Sequence, residues 1–228
     1  MTSEKYGDTI ILRNIDLADN ADDFSLYCMA IEKEAIAEAL SPHYKTIRKI
    51  AKPISILKWA SVDQIQENSI TISGKTFQSR LLIDQLKELK QVLLFSVTIS
   101  KETEEHEYLS KKLLKDVITT GILFNALAAV KTYAREQLGI QTPAVLNPGY
   151  FPDWPINHNI TLFDMLGKKA DILGVTLDER GFMYPYNTSS GILFDSENGY
   201  TNCAICKIAE CPGRTDPFNE TEYRRIFD

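Results

Sequence analysis

The chain lacks most of the features that place a protein quickly. It has no run of about 18 uninterrupted apolar residues, the length a membrane-spanning helix needs. Its most apolar stretch, VITTGILFNALAAV, is interrupted by Thr, Gly and Asn. Basic blocks are missing too: the net charge is −6 over 228 residues and the pI is near 5.2. That balance argues against nucleic acid or an anionic membrane as partner, since both draw on basic surfaces. The opening MTSEKYGDTI has no basic segment followed by an apolar one, so a secretory signal is not expected. A soluble, cytoplasmic protein is the expectation. The three histidines, His43, His106 and His158, are scattered and form no metal-like pair. A Walker loop, G-x-G-x-x-G after a strand, G-x-S-x-G and H-E-x-x-H are all absent, which removes the commonest nucleotide, hydrolase and zinc-protease chemistries.

What is present reads as an ordinary globular chain, with 44% hydrophobic and 25% charged residues. With no repeat or linker, one α+β domain over 1–228 is expected, with a possible subdomain seam near 140. In DDFSLYCMAIEKEAIAEAL (22–40), Phe24, Cys28, Ile31, Ala35 and Ala39 recur at helical spacing. ISILKWASV (54–62) and SITISG (69–74) have the β-branched content of strands. SRLLIDQLKEL (79–89) is a short amphipathic helix that Ser79 can cap. QVLLFSVTI (91–99) is continuously apolar, as in a strand buried on both faces. From about 104 to 138 the pattern predicts the longest helix. Acidic residues open it, Gly139 stands at its stop, and Gly121 marks a kink or a close contact. ITLFDMLG (160–167) predicts a further helix, and ADILGVTLDERGFMYPYNTSSGILF carries strand character. Asn198-Gly199 suits a type I′ hairpin turn between GILFD and YTNCAIC.

Three stretches are candidates for chemistry. In NPGYFPDWP (147–155), Pro148 and Pro152 stiffen the backbone and Gly149 permits close approach. Such a loop can offer fixed amides and carbonyls to a ligand at low entropic cost, and Tyr150 and Trp154 could stack on a flat ring. The same composition also describes a rigid surface turn. In NCAICKIAECPGR, Cys203, Cys206 and Cys211 form C-x2-C-x4-C. Three thiolates at that spacing suit zinc or an iron–sulfur cluster, with Cys28, His158 or an exogenous molecule as fourth ligand. A C-x2-C pair also suits thiol–disulfide chemistry. Finally, GFMYPYNTSSGILF (181–194) offers hydroxyls and a turn to a polar ligand, or is simply a strand connection.

In order, these segments resemble the activation (AdoMet-binding) domain of cobalamin-dependent methionine synthase, and more closely its free-standing reactivation-type relatives. The resemblance rests on PGYFPDWP, the ITLFDML helix, and ILGVTLDERGFMYPYNTSSGILF. Within the last, Gly174, Leu177, Glu179, Met183, Pro185, Ser190 and Gly191 fall in register with the family pattern. CAICKIAECPGR, including Arg214, matches the C-x2-C-x4-C-P-x-R ending of the free-standing relatives. The resemblance implies a bent antiparallel sheet with flanking helices. It implies S-adenosylmethionine (AdoMet) as ligand, held by Pro148, Gly149, Tyr150 and Tyr200. It also implies methionine synthase or another corrinoid protein as the partner carrying cobalamin, an electron-donor protein, and reductive remethylation of cob(II)alamin as the task. A non-catalytic module that uses the three-cysteine C-terminal site to bind a metal or dock a corrinoid protein, without AdoMet, is the alternative. Two positions depart from the family pattern. Val145 stands where an arginine is usual, and Phe124-Asn125 where an acidic residue is usual.

Overall fold

The computed structural model describes residues 1–17, 44–99, 112–209, 214 and 216–228. The helix expected at 22–40 and the start of the one expected from 104 lie outside these residues. The frame is an antiparallel sheet: β1 (Thr2–Tyr6), β2 (Thr9–Arg13), β3 (Ile54–Ile65), β4 (Ile70–Ile72), β5 (Lys75–Phe77), β6 (Gln91–Thr98), β7 (Pro143–Leu146) and β10 (Thr188–Asp195). Its main path runs β1-β2-β3-β6-β10-β7, with β4 and β5 branching from the far end of β3. β3 has 12 residues and a register irregularity between Val62 and Gln64. A bulge there bends the strand, so one half pairs with β6 and the other with β4. A separate ribbon joins β8 (Thr176–Leu177) to β9 (Met183–Tyr184). The expected class, α+β with a bent antiparallel sheet and flanking helices, is what forms.

Strict alternation on the central strands sends side chains to two faces. Leu57, Leu93, Phe95, Val97 and Leu193 meet Leu123, Ala126 and Val130 of helix α2 (Lys112–Leu138). Ile56, Val92, Leu94, Ile192 and Phe194 face the other way. There they meet helices α1 (Arg80–Leu86), α3 (His158–Leu166) and α4 (Glu220–Phe227), together with Phe151 and Trp154. β6 is therefore buried on both faces, as its continuous apolar run predicts. α1 starts at the expected cap, where the Ser79 hydroxyl accepts from the Leu82 N–H at 3.0 Å. α2 continues through Gly121 without a break. Among the described residues no helix is long and apolar enough to cross a membrane.

One sequence expectation needs correction. The hairpin at 196–199 does not form: GILFD belongs to β10, but the following segment is a 3-10 turn over Asn202–Ile205. β10 has no edge to offer, since β6 pairs with one side and β7 with the other. Only Gly199 has a positive φ in that turn, so it is not type I′. The polar N-terminus, by contrast, is an edge hairpin of β1 and β2 turning at Gly7.

Candidate functional site

β7 delivers the NPGYFPDWP loop to one end of the sheet. Asn147, just beyond the strand, is buried, and its amide donates to the Ser190 carbonyl at 2.8 Å and to Ser189 Oγ at 3.3 Å. The loop then folds on itself. The Gly149 N–H donates to the Trp154 carbonyl at 2.7 Å, at a φ of +87°. A Cβ there would stand 2.9 Å from Ile156 Cβ, so both backbone and space require glycine. Asp153 anchors the loop to α1. Its carboxylate accepts from the Ser79 hydroxyl at 2.5 Å and from the Leu81 and Arg80 amides at 3.0 and 3.2 Å. These are otherwise orphan donors at a helix start, and an anion is favoured there.

The two aromatic residues of the loop part company. Tyr150 is 55% exposed, whereas Trp154 is 1% exposed and packs edge-on to Phe77 at 6.2 Å. The expectation that both rings present themselves to a ligand is corrected for Trp154. It belongs to the core, where large apolar area is worth most when fully buried. Tyr150 has company on the surface. Gly181 abuts the same Ile156–Asn157 backbone, with space for no Cβ: one would lie 2.6 Å from Asn157 Cα. Gly149 and Gly181 thus flank Ile156, and each is followed by an exposed aromatic, Tyr150 and Phe182. Tyr186, 70% exposed, stacks edge-on with Tyr184 at 4.7 Å.

A polar network fixes this junction from within. Asn159, on α3, donates to the Gly181 carbonyl at 3.0 Å and accepts from Ser190 Oγ at 2.7 Å. Asn202 donates to Asn147 Oδ1 at 3.3 Å and accepts from the Tyr200 hydroxyl at 2.8 Å. Three stretches distant in sequence, around 147, 190 and 202, therefore converge through Asn147. Burial, then the charges of Cys203 and Asp84, push the Tyr200 phenol well above its ordinary pKa, so it stays a neutral donor. Among the described residues three buried polar atoms have no hydrogen-bond partner: Ser96 Oγ, Trp154 Nε1 and His158 Nδ1. All three lie on the face of the sheet that Phe151 and Trp154 pack against, and burial lowers the His158 pKa.

The candidate residues do not all line one cavity. Tyr200 borders a cleft of about 460 Å³ with Phe194, Glu197, Glu222 and Arg225, and Pro148, Gly149 and Tyr150 are not in its wall. In the wall of that cleft Arg225 pairs with both Asp84 oxygens and with Glu222. Burial alone would raise the Asp84 carboxyl, but the Arg225 guanidinium holds it below the ordinary range. Tyr200 is linked to the loop through Asn202 and Asn147.

Cys203 lies within the 3-10 turn and Cys206 at its end, both of intermediate exposure, and Cys211 lies outside the described residues. Arg214 gathers this stretch. Its guanidinium donates to the carbonyls of Cys203 and Asp216 at 3.0 Å, Cys206 at 2.8 Å and Ile208 at 2.6 Å. Among the described residues no group of three or more His, Cys, Asp or Glu is gathered as for a metal. Val145 sits in β7 opposite Leu193 and packs with the α2-side cluster. The Asn125 amide donates to the Tyr44 hydroxyl at 2.7 Å. Sequence reasoning missed Asn147, Asp153, Asn159 and Asn202. Asp153 beside Trp154 in a proline-framed turn was the one local cue; the other partners lie dozens of residues away.

No protein-family model and no curated protein matches the chain. Among solved structures it is similar to the crystal structure of the MetH reactivation domain bound to AdoHcy. The likeness covers 85% of this chain and 80% of that one, at 12% identity and a TM-score of 0.55. At that identity the shared property is the fold: mixed helix and antiparallel sheet in the arrangement of that domain.

Proposed function

We propose that the chain binds AdoMet at the Pro148–Tyr150 platform and serves to reactivate a cobalamin-dependent methyltransferase such as methionine synthase. The observation that carries the reading is the convergence on Asn147. The segments of the family pattern meet at one polar junction, in a fold like that of a reactivation domain bound to AdoHcy. Cobalamin would be carried by the partner; AdoMet would supply the methyl group and a third protein the electron for its reductive remethylation. This chain's part is to bind and orient. The Gly149 N–H is already committed to the Trp154 carbonyl, so the loop is organised before any ligand arrives. Tyr150 offers a ring face to the adenine. Tyr200 acts at one remove, holding Asn202 and through it Asn147.

A second reading is favoured by one observation: Val145 and Asn125 put no charge where the resembled family carries an arginine and an acid. In that reading the platform docks a corrinoid protein without AdoMet. Calorimetric titration of the chain with AdoMet separates the two. Saturable binding abolished by Tyr150→Ala supports the first reading, and absence of heat at millimolar AdoMet leaves the second.

A further inference from the structure

The C-x2-C pair is left unused by the proposed function, and its geometry is defined by residues remote from the platform's surface. Cys203 lies within a single 3-10 turn and Cys206 at its end, and the Cys206 N–H donates to the Cys203 carbonyl at 3.3 Å. In such a turn residues three apart eclipse one another. Their Cα atoms lie within about 7 Å, and disulfides bridge Cα separations of about 4.4–6.8 Å. Both residues are of intermediate exposure, and Cys206 packs against the apolar cluster on the Phe151–Trp154 side of the sheet. Arg214 binds the carbonyls of both cysteines and so holds the two ends of the turn against one another. The residue between Thr201, which caps the turn, and Cys203 is Asn202, the bridge from Tyr200 to Asn147.

We propose that Cys203 and Cys206 form a reversible dithiol–disulfide pair whose oxidation displaces Asn202 and thereby loosens the Asn147 anchor of the platform. The step is a thiol–disulfide exchange with a low-molecular-weight disulfide as oxidant. One cysteine thiolate attacks a sulfur of the oxidant and expels a thiolate, leaving a mixed disulfide. The second cysteine thiolate then attacks the protein-bound sulfur, closing the Cys203–Cys206 bond and releasing the second thiolate. Two electrons pass from the pair to the oxidant, which leaves as two thiols carrying the two protons. Closure ties Cys203, the neighbour of Asn202, to Cys206, which is packed against the core. The adjustment falls on the turn that carries Asn202. The pair stands on its own geometry, whatever ligand the platform takes.

The test uses the full chain without AdoMet. It is equilibrated over a range of reduced-to-oxidised glutathione ratios, quenched in acid, alkylated with iodoacetamide and digested with trypsin. Residues 181–207 form one tryptic peptide with both cysteines, and 208–214 another with Cys211. The expected result is peptide 181–207 lighter by two hydrogens as oxidised glutathione rises, reversed by reductant and unchanged in Cys211→Ser. A crosslink to 208–214, glutathione adducts alone, or complete alkylation of both thiols at oxidising ratios would each overturn the pairing. So would a stoichiometric metal that shields both thiols in protein purified anaerobically. Amide exchange of residues 147–154 is expected to quicken about threefold on oxidation. In Asn202→Ala the disulfide is expected to form while oxidation no longer alters that exchange. Platform exchange that ignores oxidation in the unaltered chain overturns the coupling.

Discussion

The two faces of the central sheet are held by different means. Toward α2, Leu57, Leu93, Phe95 and Leu193 meet Leu123, Ala126 and Val130 in apolar contact. Toward the platform, an apolar cluster of similar kind is interleaved with Asn147, Asn159 and Ser190, each buried and hydrogen-bonded. Apolar contact is non-directional and tolerates small shifts, whereas a buried amide satisfied by two specific partners fixes position. The difference teaches which face is scaffold and which is built to hold a surface in place.

Substitutions can break or sharpen that contrast. The largest effect is expected from Phe95→Ala on the α2 face, fully buried in β6. It should cost about 3–5 kcal/mol in urea unfolding, through lost burial and the cavity left behind. Asn159→Ala on the platform face should cost about 1–3 kcal/mol, because Ser190 Oγ and the Gly181 carbonyl lose their partner. If Asn159→Leu proves as stable as the unaltered chain, the polar network is dispensable and the contrast between the faces fails.

Smaller effects probe the rim. Arg225→Ala removes the Asp84 and Glu222 pairs, but the arginine side chain is 46% exposed. Solvent screening limits the loss to about 0.5–1 kcal/mol, expected to shrink further in high salt. His158 contributes a pH dependence of definite sign. Burial lowers its folded pKa below the unfolded value, so the unfolded chain binds more protons between the two. Stability should therefore fall as pH drops below about 6.5, and level off beneath the folded pKa. Unfolding curves of His158→Gln across that window should lack this component. Smallest of all, Tyr150→Ala should leave the unfolding midpoint within about 0.5 kcal/mol of the original, since the ring is mostly exposed. A marked destabilisation would mean that Tyr150 is part of the frame, and its role as a ligand face would lose its support.

Much of the frame was legible from local chemistry. Ser79 capping α1, the β-branched content of β3 and the apolar run of β6 each follow from residues near in sequence. The site was legible only in part. Tyr150 and Trp154 look alike in a proline-rich loop, yet one is exposed and the other fully buried. The Asn198-Gly199 turn carried a hairpin signal that failed because β10 already had a neighbour on each side. No periodicity reports how many neighbours a strand will have.

The sequence by itself determined α1, α3, the central strands β3 and β6, and the backbone restriction of the NPGYFPDWP loop. Those depend on spacing, capping and backbone restriction, which act over a few residues. Only the tertiary structure decided that residues near 147, 190 and 202 meet, that Trp154 is core, and that Arg214 gathers the cysteine turn. The physical reason is reach. A buried amide or guanidinium is satisfied by whichever carbonyl the fold brings within about 3 Å, and its partner leaves no mark on the sequence around it.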